Sequence, residues 1–169
     1  LLSDEMTFAA DGSVTGGIAS RTVVPSAPLD GGAFSFSGWV KSIDPTLAWN
    51  RIFDFGKGEG EDNVHLSFSG TSKKMQYEVY HGTTNKGTIT TALIFPTNQW
   101  VLVQLIHRAN KMAEIYWDGV LKATGSLPLP LLIVTGRTWY LGNPDFQGSM
   151  KEVVFFNKEM NLKTLPSYT

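Results

Sequence analysis

Polar and apolar residues alternate along this chain in short runs with a period of two. In FSFSGWVK, Phe34, Phe36, Gly38 and Val40 fall on one side and Ser35, Ser37, Trp39 and Lys41 on the other, the pattern of a strand with one buried face. RIFDFG (51–56), VHLSFS (64–69) and KMQYEVYH (74–81) repeat that texture between Gly-rich or Thr/Asn-rich turns. WVLVQLIHR (100–108) is apolar on both faces for much of its length, as in a central strand covered on each side. In MAEIYWDGVLKATG (112–125), Asp118 and Gly119 stand between β-formers, so a hairpin with a type I′ turn is predicted. TWYLG (138–142) and SMKEVVFFN (149–157) supply the last strands, and NKEMNLKTL has room for a turn or two of helix at most. No apolar stripe keeps helical period across ten residues, and about nine to eleven strands are expected.

A single open sheet could not bury the aromatic 12% of 169 residues. The pattern therefore predicts an all-β fold of two packed antiparallel sheets, a β-sandwich or jelly roll. Phe34, Phe36, Val40, Ile52, Val101, Val103, Leu105, Ile115, Val153 and Phe155 are its expected core, with Trp100 assigned there too. Without a linker, charge run or repeat, residues 1–169 read as one domain. Fourteen Lys and Arg against 15 Asp and Glu give a net charge of −1, which excludes an electrostatic footprint for nucleic acid or an anionic membrane. No run approaches the roughly 20 apolar residues of a membrane-spanning helix, so no membrane insertion is expected. The absence of Cys removes disulfides, thiolate metal sites and a cysteine nucleophile. The opening LLSDEMTF lacks an initiator Met and a basic-then-apolar leader, as in a processed chain or an excerpt from a longer one.

Catalytic patterns are missing. There is no Gly-x-Ser-x-Gly elbow. His65, His81 and His107 are 16 and 26 residues apart, unlike zinc ligands, and read as polar residues at strand edges or on a sheet surface. A glycosidase on a sandwich would need paired carboxylates facing one cleft, and no predicted strand carries two. FGKGEGEDN (55–63) is too acidic to cradle phosphate. Its cluster of Glu59, Glu61 and Asp62 reads either as solvated charge or as a calcium loop in which Asp62 and Asn63, with Asp145 from a facing loop, supply oxygen ligands. SLPLPLLIVTG (126–136) cannot form a regular central strand because of Pro128 and Pro130, yet is too apolar for a solvated connection. It covers either the domain's own core or a partner, in which case Leu127 to Val134 would mediate self-association.

From Ala33 to Asn157, the order AFSFSGWVK, NRIFDFG, QWVLVQLIHR, IYWDGVLKATG, WYLG and FQGSMKEVVFFN resembles the LamG-like, concanavalin A-like jelly-roll domains of the lectin/glucanase superfamily. Phe146, Gly148, Met150, Glu152, Val153 and Phe155 fall where that family reads Phe-x-Gly-x-Ile-Asp-Glu-Val followed by an aromatic residue. The resemblance implies an extracellular or cell-surface lectin or cell-adhesion module. It also implies a calcium ligand at the Asp before Glu-Val. This chain has Lys151 there, and an ammonium offers no lone pair to a cation, so Lys151 fills the place with its own charge.

The reading that follows is a non-catalytic extracellular recognition domain, a binder of glycan or of an extracellular protein. A sugar site needs an aromatic face beside hydrogen-bonding side chains, and Tyr80, His81, Arg137, Trp139, Tyr140, Asn143 and Asp145 offer that mixture. The alternative is a structural or adhesive subunit that packs on copies of itself or on a protein partner through edge strands and the Pro-Leu loop. Calcium is the one cofactor either reading invokes.

Overall fold

The computed structural model describes residues 6–8, 14–16, 22–23, 32–46, 50–58, 60–130, 138–142 and 146–161. Its strands are β1 (Met6–Phe8), β2 (Val14–Gly16), β3 (Thr22–Val23), β4 (Phe34–Ser42), β5 (Arg51–Gly56), β6 (Val64–Phe68) and β7 (Lys74–His81). They continue with β8 (Thr84–Ile94), β9 (Val101–His107), β10 (Met112–Trp117), β11 (Val120–Ser126), β12 (Thr138–Leu141) and β13 (Gly148–Phe156). These form one sheet in the order β1-β2-β13-β4-β9-β10-β11 and a second in the order β3-β12-β5-β6-β7-β8, with every paired strand antiparallel. The fold is the jelly-roll sandwich that the alternation predicts.

The inward positions of the two sheets make the core. Phe34, Phe36 and Val40 of β4 with Val101, Val103 and Leu105 of β9 face Phe53, Phe55, Leu66, Tyr77 and Val79, all at most 3% exposed. The rings interlock: Phe53 lies 5.3 Å from Phe36 and 4.9 Å from Phe55 between centroids, within the range that favours offset and edge contacts. The hairpin forms as expected, with Asp118 at φ 49° and Gly119 at φ 76°, the two left-handed residues a type I′ turn requires. At Gly148 a Cβ would run into the carbonyl oxygen of Lys41 on the neighbouring strand, so the glycine permits the close approach of β13 to β4.

Several expectations are corrected. Val153 and Phe155 are partly buried rather than core, where β13 bulges between Lys151 and Val154. Trp100 is half-buried, with the ammoniums of Lys151 and Lys41 at 5.0 and 5.3 Å from its ring. His65 stands on the outer face of its sheet but is only 2% exposed, and His107 (0%) is not on a surface at all. His107 lies between the sheets, its Nδ1 2.9 Å from the Tyr77 hydroxyl and its Nε2 3.1 Å from the Leu127 carbonyl. Of the Pro-Leu loop, Leu127 joins the core and Pro130 is buried, so its described part turns inward and Leu127 is not free for self-association. Residues 131–134 lie outside the described ones. No helix occupies residues 157–161. The strand β8 and the short β1, β2 and β3 raise the number among the described residues above the nine to eleven expected.

Candidate functional site

The outward positions of the six-stranded sheet carry polar side chains that burial patterns alone would assign to a core. Register sets Tyr140 opposite Asp54, Asp54 opposite His65, His65 opposite Glu78 and Glu78 opposite Thr88. One row thus crosses β12, β5, β6, β7 and β8, with Arg51, Ser67, Gln76 and Thr90 forming the next. Asp54, His65, Ser67, Gln76 and Glu78 are all at most 8% exposed. The rows open to solvent at β8, where Asn85, Thr88 and Thr90 are exposed.

Hydrogen bonds tie the row together. Glu78 Oε2 accepts from His65 Nε2 (2.7 Å) and Gln76 Nε2 (3.1 Å), and Oε1 from Thr88 Oγ1 (2.7 Å) and Asn85 Nδ2 (2.9 Å). Burial pushes the Glu78 carboxyl up, but the bonds from His65, Thr88 and Asn85 outweigh it and hold the pKa below the usual 4.5. Asp54 is paired with the Arg51 guanidinium and accepts from Asn63 Nδ2 at 2.6 Å. Asn63 reaches Asp54 by lying over Gly56, where a Cβ would collide with its amide. Among the described residues, Asn63 Oδ1, His65 Nδ1 and Ser67 Oγ are buried on this face with no hydrogen-bond partner.

Two of the residues chosen from the sequence join this face. Tyr140 stands opposite Asp54, and the Tyr80 ring lies 6.0 Å from that of His65. His81, at the end of β7, bonds through Nε2 to the Leu129 carbonyl at 3.1 Å. Trp139 is opposite Phe55 in the β12–β5 ladder. Arg137, Asn143 and Asp145 lie outside the described residues. In the expected cation loop, Asp62 Oδ1 accepts the Gly82 N–H at 2.6 Å and Oδ2 lies 3.7 Å from the Lys57 ammonium. Lys57 also bonds Glu61 at 2.9 Å. Among the described residues no three His, Asp or Glu side chains gather into a metal-holding group. Position 151 does not fit a cation, since its ammonium lies against Trp100.

Sequence reasoning missed Asp54, His65, Ser67, Gln76 and Glu78. The signal was present, because these are the polar alternates of three successive strands. A search for acids along a single strand passes over Asp54 and Glu78, which come together only through β6. Two strand spacings put them about 9–10 Å apart, near the upper limit for carboxylates of an inverting glycosidase.

Among solved structures, the chain is similar to the Ruminococcus gnavus IT-sialidase CBM40, with TM-score 0.74 and 14% identity over 90% of this chain and 94% of that one. The same module bound to alpha2,3 sialyllactose matches with TM-score 0.72 and 13% identity, over 90% and 93%. Domain 4 of AbnA, a GH43 extracellular arabinanase from Geobacillus stearothermophilus, in complex with arabinotriose, matches with TM-score 0.68 and 19% identity, over 92% and 76%. At these identities the likeness is one of fold. No curated protein sequence matches the chain. The sequence model of the concanavalin A-like lectin/glucanases superfamily, Laminin_G_3, matches residues 15–165, and with two antiparallel sheets in jelly-roll arrangement behind it, this chain belongs to that superfamily.

Proposed function

We propose that this domain is an extracellular, non-catalytic module that binds carbohydrate on the outer face of its six-stranded sheet. The observation that carries the reading is a polar face that reaches solvent at Asn85, Thr88 and Thr90 and holds beneath it, among the described residues, three atoms without a partner, Asn63 Oδ1, His65 Nδ1 and Ser67 Oγ. Each such atom costs about 1–3 kcal/mol when left without a hydrogen bond, and a native site that tolerates three calls for a ligand or ordered water. Sugar hydroxyls both donate and accept, so they complement an amide oxygen, an imidazole nitrogen and a hydroxyl at once. Tyr80 and Tyr140 supply apolar ring faces for sugar C–H groups, and His81, Arg137, Trp139, Asn143 and Asp145 remain proposed contributors. Solved relatives in the same fold hold sialyllactose and arabinotriose.

Protonation argues against hydrolysis. A glycosidase acid must hold a proton near neutral pH, with its pKa raised. Glu78 has the opposite environment, four donors on its two oxygens, and Asp54 is occupied by Arg51 and Asn63. These carboxylates organise the face and do not transfer protons.

Glycan-array screening of the full chain, followed by calorimetry on the best ligand, tests the reading. Ser67→Ala removes a hydroxyl that no described residue bonds, so it should leave folding unchanged and weaken binding about two- to tenfold, the worth of one hydrogen bond. Ser42→Ala, which removes another unpartnered buried hydroxyl in β4, should leave affinity alone. An array without a bound glycan, or an affinity indifferent to both Ser67→Ala and His65→Ala, overturns the proposal.

One observation favours the adhesive reading. Among the described strands β8 and β11 stand at sheet edges, and they expose Leu93 (59%), Ile94 (60%), Val120 (56%) and Leu121 (47%), a combination open to strand pairing with a second chain.

A further inference from the structure

We propose that the outer face of the seven-stranded sheet carries a second site, for the anionic groups of a sugar chain, formed by Lys41, Lys151 and Trp100. Register places it: Lys41 of β4 is opposite Ser149 of β13, and Lys151 is opposite Trp39, which in turn faces Leu102 of β9. Lys41 and Lys151 are therefore diagonal neighbours on adjacent strands, a separation of about 7–8 Å that long side chains bridge. Both ammoniums lie beside one indole, at 5.3 Å and 5.0 Å from the Trp100 ring centre.

Like charges this close disfavour each other unless a counter-charge intervenes. Among the described residues no carboxylate comes within 4.0 Å of either lysine. The indole compensates only weakly, because a cation–π contact at a half-exposed position is a small interaction. The positive charge is local, since the chain as a whole carries a net charge of −1. An oxoanion between the lysines would supply a counter-charge that no described residue offers. Ammoniums are compact point charges that suit sulfate or carboxylate without a planar fork. Two half-buried indoles, Trp39 and Trp100, adjoin them and offer the apolar surface that a sugar ring covers and an acidic peptide backbone does not. The site shares no residue with the polar face of the opposite sheet.

A fully sulfated heparin hexasaccharide and its desulfated counterpart, titrated into the full chain by calorimetry with tryptophan fluorescence as a second readout, form the test. At about 50 mM salt, where screening is modest, the sulfated sugar should bind and perturb the fluorescence. Binding should weaken as salt rises, and fall at least about tenfold in Lys41→Gln/Lys151→Gln. Ser67→Ala should leave it unchanged, which separates this site from the polar face. The proposal is overturned if the sulfated sugar does not bind, if it binds the double variant as tightly, or if hexaglutamate binds more tightly than the sulfated sugar.

Discussion

The interior holds a polar bolt whose removal has a calculable effect. His107 on β9 and Tyr77 on β7 belong to different sheets, and both are fully buried. The Leu127 carbonyl can only accept, so His107 Nε2 carries the ring proton. Nδ1 then accepts from the Tyr77 hydroxyl, at 2.9 Å. Tyr77→Phe preserves the ring and its packing but strands Nδ1 without a donor. The cost is that of a buried unsatisfied group, about 1–3 kcal/mol, which for a chain of this length lowers Tm by roughly 2–12 °C. The ring must also stay neutral, because burial pushes the His107 pKa below its ordinary 6.5, a smaller opposing contribution coming from the Leu127 carbonyl. Since the unfolded chain protonates first, the stability tied to neutral His107 is complete above pH 6.5. It is lost as pH falls from there toward the folded value, at up to about 1.4 kcal/mol per pH unit. Chemical denaturation of wild type, Tyr77→Phe and His107→Phe between pH 7.5 and 5 measures both effects. The reasoning fails if Tyr77→Phe melts with wild type at pH 7.5, or if wild type is no more acid-sensitive over this range than His107→Phe.

Other perturbations reach the surface. Gly56→Ala drives a methyl into Asn63, so it should break the Asn63–Asp54 bond, cost about 1–3 kcal/mol and weaken glycan binding; unchanged calorimetry would refute the geometry. Glu78, held below 4.5, contributes stability that is present above that pH and lost as pH falls through its folded value, so Glu78→Gln should flatten the acid limb of a stability curve. A calcium ion at Asp62 has to displace the Lys57 ammonium. Saturating calcium at a hundredfold excess should then add about 2.7 kcal/mol, and more in Lys57→Ala; a Tm indifferent to calcium and chelator in both proteins removes the ion. Under the adhesive reading, light scattering should report concentration-dependent assembly that Ile94→Lys abolishes, and a monomer at every concentration ends that reading.

The fold was legible wherever one face of a strand is buried and the other is not. β4 and the β10–β11 hairpin meet that condition, the first through four alternations and the second through Asp118-Gly119. β8 does not: of TNKGTITTALI only Ile89 and Thr91 are buried, while Leu93 and Ile94 face solvent, so no contrast marks a strand there. β13 defeats a period-two reading for another reason. Its bulge, with Glu152 at φ 52°, resets the alternation halfway. Val153 and Phe155, within and beyond it, are partly buried despite their apolar character.

The polar face was less legible because it belongs to the register and not to any segment. Asp54, His65 and Glu78 each sit at the outward position of an ordinary alternating strand, where a lone polar residue signals only solvent. Pairing of β5 with β6 and of β6 with β7 makes them one line. Once aligned, their roles follow from donor and acceptor counts: Glu78 takes four donors on two oxygens and leaves His65 with an unused nitrogen. A carboxylate saturated in this way holds its charge and gives up no proton. The unsatisfied capacity passes to the groups around it, to Asn63, His65 and Ser67, which in the proposed reading meet sugar hydroxyls. Spacing alone would have admitted Asp54 and Glu78 as a hydrolytic pair. Their hydrogen bonds are the ground on which recognition is proposed instead.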